Sequence, residues 1–147
     1  MDFKNIKDVK IKNLNQISDN RGSVLHMLRA DSEEYDTFGE IYFSTLNKDK
    51  IKAWNKHLKM KSNIVCIYGS VEMILFDDRD PKKSKLMKIN LSRKNYFLVT
   101  IPKLIWYGFK NISESESILC NCSSIPHDKN ELLKKNFDDG EIPFRWK

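Results

Sequence analysis

Apolar and polar residues alternate in short runs between residues 22 and 124, and polar turn residues separate those runs. A period of two is typical of strands that bury one face, and many short strands joined by polar turns are typical of a sandwich or barrel. The pattern predicts about nine strands: Ser23 to Leu28, Gly39 to Thr45, Lys52 to Leu58, Asn63 to Tyr68, Ser70 to Phe76, Lys85 to Leu91, Tyr96 to Ile101, Trp106 to Asn111 and Ser117 to Ser123.

Two turns and a helix complete the predicted order of elements. Gly69 lies between two apolar runs and predicts a hairpin, because Gly adopts the positive φ that tight turns need. Asp77 to Pro81 predicts a second turn, since Asp and Pro favour turns. A pair of leucines after the candidate cap Asp128 predicts a short helix from about Lys129 to Asn136. Strands followed by one helix, without a linker, predict a single all-β jelly-roll domain over residues 1–147.

Length and composition exclude several classes of protein. The chain has 147 residues, of which 40% are hydrophobic and 31% charged, as in one soluble domain. No apolar run approaches the roughly 20 residues of a membrane-spanning helix, and the N-terminus is polar, so we expect a cytoplasmic protein with no membrane partner. The net charge is +6. The lysines are scattered along the chain, so we expect no nucleic-acid partner.

Histidine is scarce, with only His26, His57 and His127. An open metal site needs three or four convergent ligands, and the chain has no His-x-His pair that would supply two of them. The three cysteines lack the spacing of a zinc site, and their odd number favours reduced thiols. We therefore expect no metal and no other cofactor. His57 becomes the leading candidate for a general base, because imidazole accepts a proton near neutral pH.

A series of short segments carries a resemblance that covers most of the chain. In chain order the segments are Asp19 to Gly22, Gly39 to Ser44, Lys52 to His57, Gly69-Ser70-Val71, Phe76 to Arg79, Leu91-Ser92, Ile101 to Phe109, Phe137 to Gly140 and Ile142 to Trp146. They resemble landmarks of the dTDP-4-dehydrorhamnose 3,5-epimerase family, including its D-x-R-G turn, its R-G-L-H base segment, its H-G-F strand and its closing W-x-D-P element. The resemblance implies a cupin-type jelly-roll barrel that forms a homodimer, in which N-terminal strands, about residues 1–30, are candidates for exchange between subunits.

The resemblance also implies a reaction. Family members remove a proton next to the C4 ketone of a nucleotide-diphosphate sugar without a metal, which requires a base, a group that orients it, and donors near the developing enolate. By this resemblance His57 is the base and Asp139, with Asp138 as the fallback, accepts a hydrogen bond from its other ring nitrogen. The substrate-binding candidates are Arg21 for the pyrophosphate, Glu40, Lys59 and Lys61 for the sugar or enolate, and Trp54 and Trp106 as stacking platforms.

The sequence departs from the family at its general acid. Cys120 occupies the position of the family's late-strand Tyr, so Cys120 or Tyr107 is the candidate acid for inversion, which needs a base on one face of the sugar and an acid on the other. Two alternatives stay open. A 3,4-ketoisomerase moves a proton on one face, although its H-A-H-K segment appears here only as Asn55 to Lys59. A non-catalytic cupin would bind the sugar nucleotide without reaction.

Overall fold

The computed structural model describes residues 2–147, and its main body is a pair of facing antiparallel sheets. The strands are β1 (Lys10–Asn13), β2 (Gln16–Asp19), β3 (Gly22–Leu25), β4 (Glu40–Leu46), β5 (Ile51–His57), β6 (Ser62–Tyr68), β7 (Ser70–Asp77), β8 (Lys85–Ser92), β9 (Phe97–Ile101), β10 (Trp106–Asn111), β11 (Ser117–Ser123) and β12 (Leu132–Lys134). Each of the predicted strands is present. The structure adds β1, β2 and β12, and the first predicted strand ends earlier, at Leu25.

The two main sheets have five strands each. One has the order β1-β9-β6-β11-β4 and the other the order β12-β5-β10-β7-β8, while β2 and β3 form a separate hairpin. Side chains from both sheets meet in the main core, where Ile64 and Leu119 of the first sheet join Met73, Leu75 and Phe109 of the second. Two packed sheets bury the apolar positions that the period-two pattern marked.

The outer faces of both sheets are also covered. Trp54 and Trp106 pack with Ile142, Phe144 and Trp146 of the C-terminal segment on the outside of the second sheet. On the outside of the first sheet, Val65, Tyr96, Leu98 and Cys120 pack against Leu14, Leu25, Met27 and Leu28. Several strands are therefore buried on both faces, and burial alone does not tell which of their side chains point between the sheets.

The prediction of a hairpin at Gly69 is wrong, although its backbone is as expected. Gly69 has a φ of +72°, and a Cβ there would lie 2.3 Å from Oγ of Ser117. However, β6 pairs with β9 and β11, whereas β7 pairs with β8 and β10. The chain crosses from one sheet to the other at this glycine. The turn after Asp77 does close a hairpin, between β7 and β8.

The predicted helix from Lys129 to Asn136 is also wrong. Asp128 caps a single 3₁₀ turn by accepting a hydrogen bond from the amide of Asn130 at 2.9 Å, but the turn ends at Glu131. The next three residues form β12, which pairs with β5. A short isolated helix is only marginally stable, so the unpaired edge of β5 decides the conformation of this segment.

Candidate active site

A cavity of about 330 Å³ lies between the two sheets, at the end where β4 and β5 approach β12. Side chains of both sheets and of the loop before β12 line it: Glu40, Tyr42, Asn55, His57, Met60, Tyr107, His127, Leu132 and Lys134. Such a concave site, with a few polar groups that converge from several elements, is the usual form of a small-molecule site.

His57 is the last residue of β5 and points into this cavity, with 7% of its surface exposed. Its Nδ1 lies 2.5 Å from Oε1 of Glu131. The pairing of β12 with β5 brings the two together, since Leu132 lies opposite His57 in the strand register. The ring is therefore held by a carboxylate that is distant in sequence and adjacent in space.

Glu131 is 3% exposed and uses both carboxylate oxygens. Oε2 accepts hydrogen bonds from the backbone amides of Lys59 and Met60, each at 3.1 Å. Burial raises the pKa of Glu131, but the hydrogen bonds from His57 and from the two amides outweigh it, so this pKa lies below its usual range. The carboxylate is thus ionised at neutral pH and can only accept hydrogen bonds.

The ionised Glu131 determines the tautomer of His57. Since the carboxylate only accepts, Nδ1 carries a hydrogen, and in the neutral ring Nε2 keeps the lone pair. The hydroxyl of Tyr107, 3.1 Å away, then donates to Nε2. Burial, above all, raises the pKa of Tyr107 well above its usual range, so this hydroxyl stays protonated. In its neutral form His57 therefore presents the lone pair of Nε2 beside the protonated hydroxyl of Tyr107.

Tyr42 faces these groups from the opposite sheet. It lies on β4, whereas His57 and Tyr107 lie on β5 and β10 of the other sheet. Its hydroxyl accepts a hydrogen bond from Nδ2 of Asn121 at 2.7 Å and also lies within hydrogen-bonding reach of the hydroxyl of Tyr107. Burial raises the pKa of Tyr42, while the bond from Asn121 acts in the other direction. Our sequence analysis did not identify Tyr42.

The prediction that Asp139 orients His57 is wrong, and so is the fallback to Asp138, because Glu131 occupies that position. Oδ1 of Asp139 accepts a hydrogen bond from the amide of Glu141 at 2.8 Å and lies 3.5 Å from Nζ of Lys135. The sequence offered one clue to Glu131, an acidic residue directly before an apolar pair. Because a helix was predicted here, the pairing of β12 with β5, which brings Glu131 to His57, was not foreseen.

Cys120 is not a candidate acid, and that prediction is wrong. Leu119 and Asn121 of β11 point between the sheets, so the strand alternation turns Cys120 to the outside. There it is buried in the apolar cluster with Val65 and Leu98. Burial raises the pKa of its thiol, which makes it a poor proton donor as well as a distant one.

Trp54 and Trp106 do not reach the cavity either, so their predicted contact with substrate there is wrong. Both belong to the cluster on the outside of the second sheet. Nε1 of Trp106 donates to Oδ2 of Asp78 at 3.0 Å, and Nε1 of Trp54 donates to the carbonyl of Phe137 at 3.3 Å. These large aromatics are core residues with satisfied hydrogen bonds.

The remaining predicted binding residues have different positions. Glu40 lines the cavity, whereas Lys59 and Lys61 are not among its lining residues. Arg21 lies at the turn of the β2–β3 hairpin with 85% of its side chain exposed, and it pairs with Asp19 at 2.6 Å. His127 and Lys134 also line the cavity, although neither was predicted from the sequence as a binding residue.

Neither a metal-binding cluster nor a membrane-spanning helix is present in residues 2–147. In this part of the chain no three His, Cys, Asp or Glu side chains are grouped closely enough to hold a metal ion. No helix there has the length and apolar character needed to cross a membrane.

Comparison with known proteins identifies the relatives of this chain. Residues 7–139 match the family model FdtA, described as "WxcM-like, C-terminal". The "Probable low-salt glycan biosynthesis epimerase Agl13" of Haloferax volcanii is 30% identical over 144 residues, which cover 95% of this chain and 89% of that protein.

Two solved structures are similar over nearly the whole chain. A dTDP sugar isomerase from Desulfovibrio desulfuricans G20 has 36% identity and a TM-score of 0.93, with 96% of this chain and 92% of that chain covered. The epimerase RmlC from Legionella pneumophila has 18% identity and a TM-score of 0.84, with 98% and 81% covered, and so shares the fold. The cupin-type barrel and the resemblance to the dTDP-4-dehydrorhamnose 3,5-epimerases are confirmed. The chain belongs to the FdtA family of WxcM-like, C-terminal domains.

Proposed function

We propose that this protein is an epimerase that acts on a nucleotide-linked 4-keto sugar in the synthesis of cell-surface polysaccharides. The observation that carries the proposal is the buried pair of His57 and Glu131, which leaves Nε2 of the ring as a base at the cavity. Two relatives support the substrate class by their names, since one is a glycan biosynthesis epimerase and the other a dTDP sugar isomerase.

The base would remove a proton from the carbon next to the ketone. Nε2 of His57 takes the proton, and the carboxylate of Glu131, 2.5 Å from Nδ1, stabilises the imidazolium that forms. The hydroxyl of Tyr107 at 3.1 Å lies beside the same nitrogen and is suited to donate to the enolate oxygen once Nε2 is protonated. This division of roles uses only side chains that already contact one another.

Inversion needs a proton donor on the other face of the sugar. Tyr107 contacts the base itself and so lies on the same wall of the cavity. Tyr42 lies on the facing sheet, and because its hydroxyl oxygen accepts from Asn121, its own hydrogen can be donated. We therefore assign Tyr42 as the acid that completes epimerisation, and Tyr107, the acid candidate from the sequence, as the donor to the enolate oxygen.

The cavity also contains groups suited to an anionic substrate. Lys134 and His127 line it together with Glu40. A nucleotide diphosphate carries negative charge that an ammonium group can bind, and the carboxylate of Glu40 can accept hydrogen bonds from sugar hydroxyls. Lys59 and Lys61 follow His57 in the chain, directly after the end of β5. They remain proposed contacts to the sugar or its enolate.

One observation favours a 3,4-ketoisomerase as the second candidate. His57 and Tyr107 share a hydrogen bond on one wall, so a proton collected by the base could return to the neighbouring carbon on the same face. Epimerisation instead requires Tyr42. The two reactions differ in their products, because the isomerase shifts the carbonyl to C3 and the epimerase leaves it at C4.

The test is incubation with dTDP-4-keto-6-deoxyglucose in deuterium oxide, followed by NMR. We expect deuterium at C3 or C5 with the carbonyl still at C4. A carbonyl at C3 would select the isomerase, and tight binding without exchange would select the non-catalytic cupin.

Two variants test the role of the base. His57→Asn should abolish exchange while the fold, measured by circular dichroism, is kept. His26→Asn is the matched control, since His26 lies outside the cavity lining and should exchange at the wild-type rate. Full activity of His57→Asn would remove this residue from the mechanism.

We also propose a homodimer in which the N-terminal strands, about residues 1–30, are exchanged. The β2–β3 hairpin, the edge strand β4 and the loop before β4 expose large apolar side chains, which mark protein contacts: Ile17, Val24, Phe38, Ile41 and Phe43. An exchanged hairpin would carry Arg21 to the diphosphate bound by the other subunit. Sedimentation should give the mass of a dimer for the wild type and of a monomer for Phe43→Asp, and a monomeric wild type would refute the proposal.

A further inference from the structure

A second cavity of about 120 Å³ adjoins the first one between the sheets. The two share Tyr42, Asn55 and Tyr107, and the smaller one is completed by Ser44, Lys52, Ile64, Phe109, Leu119 and Asn121. Because Tyr107 also contacts His57, a sugar ring held at the base borders this second cavity. It is therefore placed to receive one edge of that ring.

Asn121 is the unusual member of this second cavity. Its side chain is 4% exposed, and Nδ2 donates to the hydroxyl of Tyr42 at 2.7 Å. Its Oδ1 is buried and accepts no hydrogen bond from any group in residues 2–147. Buried acceptors of folded proteins are nearly always paired, because an unpaired one is unfavourable. The unpaired Oδ1 of Asn121 therefore indicates that a bound ligand supplies the hydrogen-bond donor.

The other walls of the second cavity limit what that donor can be. Nζ of Lys52 donates to Oγ of Ser44 at 3.1 Å, so one side is polar. Ile64, Phe109 and Leu119 form an apolar side. A pyranose ring has the same character, with hydroxyl groups at its edge and an apolar C–H face, and it fits a site with few polar groups on an apolar lining.

We propose that Asn121 is a specificity-determining residue whose Oδ1 accepts a hydrogen bond from a ring hydroxyl of the sugar. This inference rests on the proposed function, since it takes a nucleotide-linked sugar as the ligand. It deepens that proposal, because it selects sugars that keep a hydroxyl at C2 or C3. A site built to pair with a hydroxyl discriminates strongly against an analogue that lacks it.

The test compares dTDP-4-keto-6-deoxyglucose with its analogues that lack the C2 or the C3 hydroxyl. Calorimetry gives the affinity of each, and deuterium exchange gives the relative kcat/KM of the parent sugar and the C2 analogue. The wild type should bind the parent at least about 10-fold more tightly than one analogue. Asn121→Leu should reduce this preference to within about 2-fold while the affinity for dTDP alone is unchanged.

Three further variants make the result specific. Asn121→Asp keeps an acceptor at the same position and should keep the preference for the parent sugar. Asn121→Ala replaces Asn121→Leu if the latter does not fold, and it should lose the preference to the same extent. Cys122→Ala is the matched control, because this neighbour on β11 lies outside the cavity lining. Its preference should equal that of the wild type.

The outcomes separate this inference from the proposed reaction. An intact binding preference without exchange would refute the epimerase and keep the role of Asn121. Exchange with equal affinities for all three sugars, or an Asn121→Leu protein that keeps the full preference, would overturn the inference alone. A wild type that binds none of the three sugars would overturn both.

Discussion

Replacing Glu131 by Gln tests the arrangement on which the proposed reaction depends. Gln has nearly the same shape as Glu, but its amide carries no charge and can donate to Nδ1 of His57, which would place the ring hydrogen on Nε2. It also removes the carboxylate that lies 2.5 Å from Nδ1 and stabilises the imidazolium. Charges about 4 Å apart interact by about 4 kcal/mol at an effective dielectric constant of about 20. We therefore expect kcat to fall by about 10³-fold, with little change in KM.

The assay is the rate of deuterium exchange into the 4-keto sugar under saturating substrate. Nitrogen NMR of the histidine ring should show hydrogen on Nδ1 in the wild type and on Nε2 in Glu131→Gln. The matched control is Glu34→Gln, since Glu34 is another buried carboxylate, paired with Lys12 at 3.2 Å and outside the cavity lining. A fall of less than about 10-fold in Glu131→Gln, or an equal fall in Glu34→Gln, would refute the reasoning.

Three further expectations follow from the same contacts. Tyr107→Phe removes the hydroxyl that donates to Nε2 and should lower the exchange rate by about 10²-fold, and a rate within about threefold of wild type would contradict this. Cys120→Ser should leave exchange and inversion unchanged, but it should lower the free energy of unfolding by about 1–3 kcal/mol in urea, because it places a hydroxyl in an apolar cluster. Folding lowers the pKa of Glu131 from its ordinary value of 4.5. At a pH just below 4.5 the unfolded chain therefore binds more protons at this residue than the folded chain does. The stability of the wild type relative to Glu131→Gln should therefore fall as the pH drops below 4.5, and a relative stability that is constant over that range would contradict the assignment.

The homology evidence and the site geometry agree at the level of the reaction class. The relatives are named for epimerase or isomerase activity on sugars, and His57 lies in a cavity with the partner that a base requires. The geometry adds a difference from the expected mechanism. Cys120, the acid predicted on the late strand, does not line the cavity, whereas two tyrosines from facing sheets, Tyr42 and Tyr107, do.

The strands could be predicted from the sequence because their signal is local. Alternation over five to eight residues requires no knowledge of the partner strand, and the positive φ of Gly69 follows from its position between two apolar runs. His57 could be singled out for a similar reason, since its chemistry is carried by one residue type. These features depend on neighbours in the chain.

The composition of the site was decided only by the tertiary structure. Alternation assigns residues of a strand to two faces, but β10 and β11 are buried on both, so it does not tell that Tyr107 points inward while Trp106 and Cys120 point outward. The partner of His57 depends on a strand pairing that spans 74 positions of the chain. No local pattern encodes a contact of that separation, because it exists only once both sheets have formed. The sequence by itself determined nine of the twelve strands and singled out His57 as the candidate base, and the packing of the sheets decided which residues surround it.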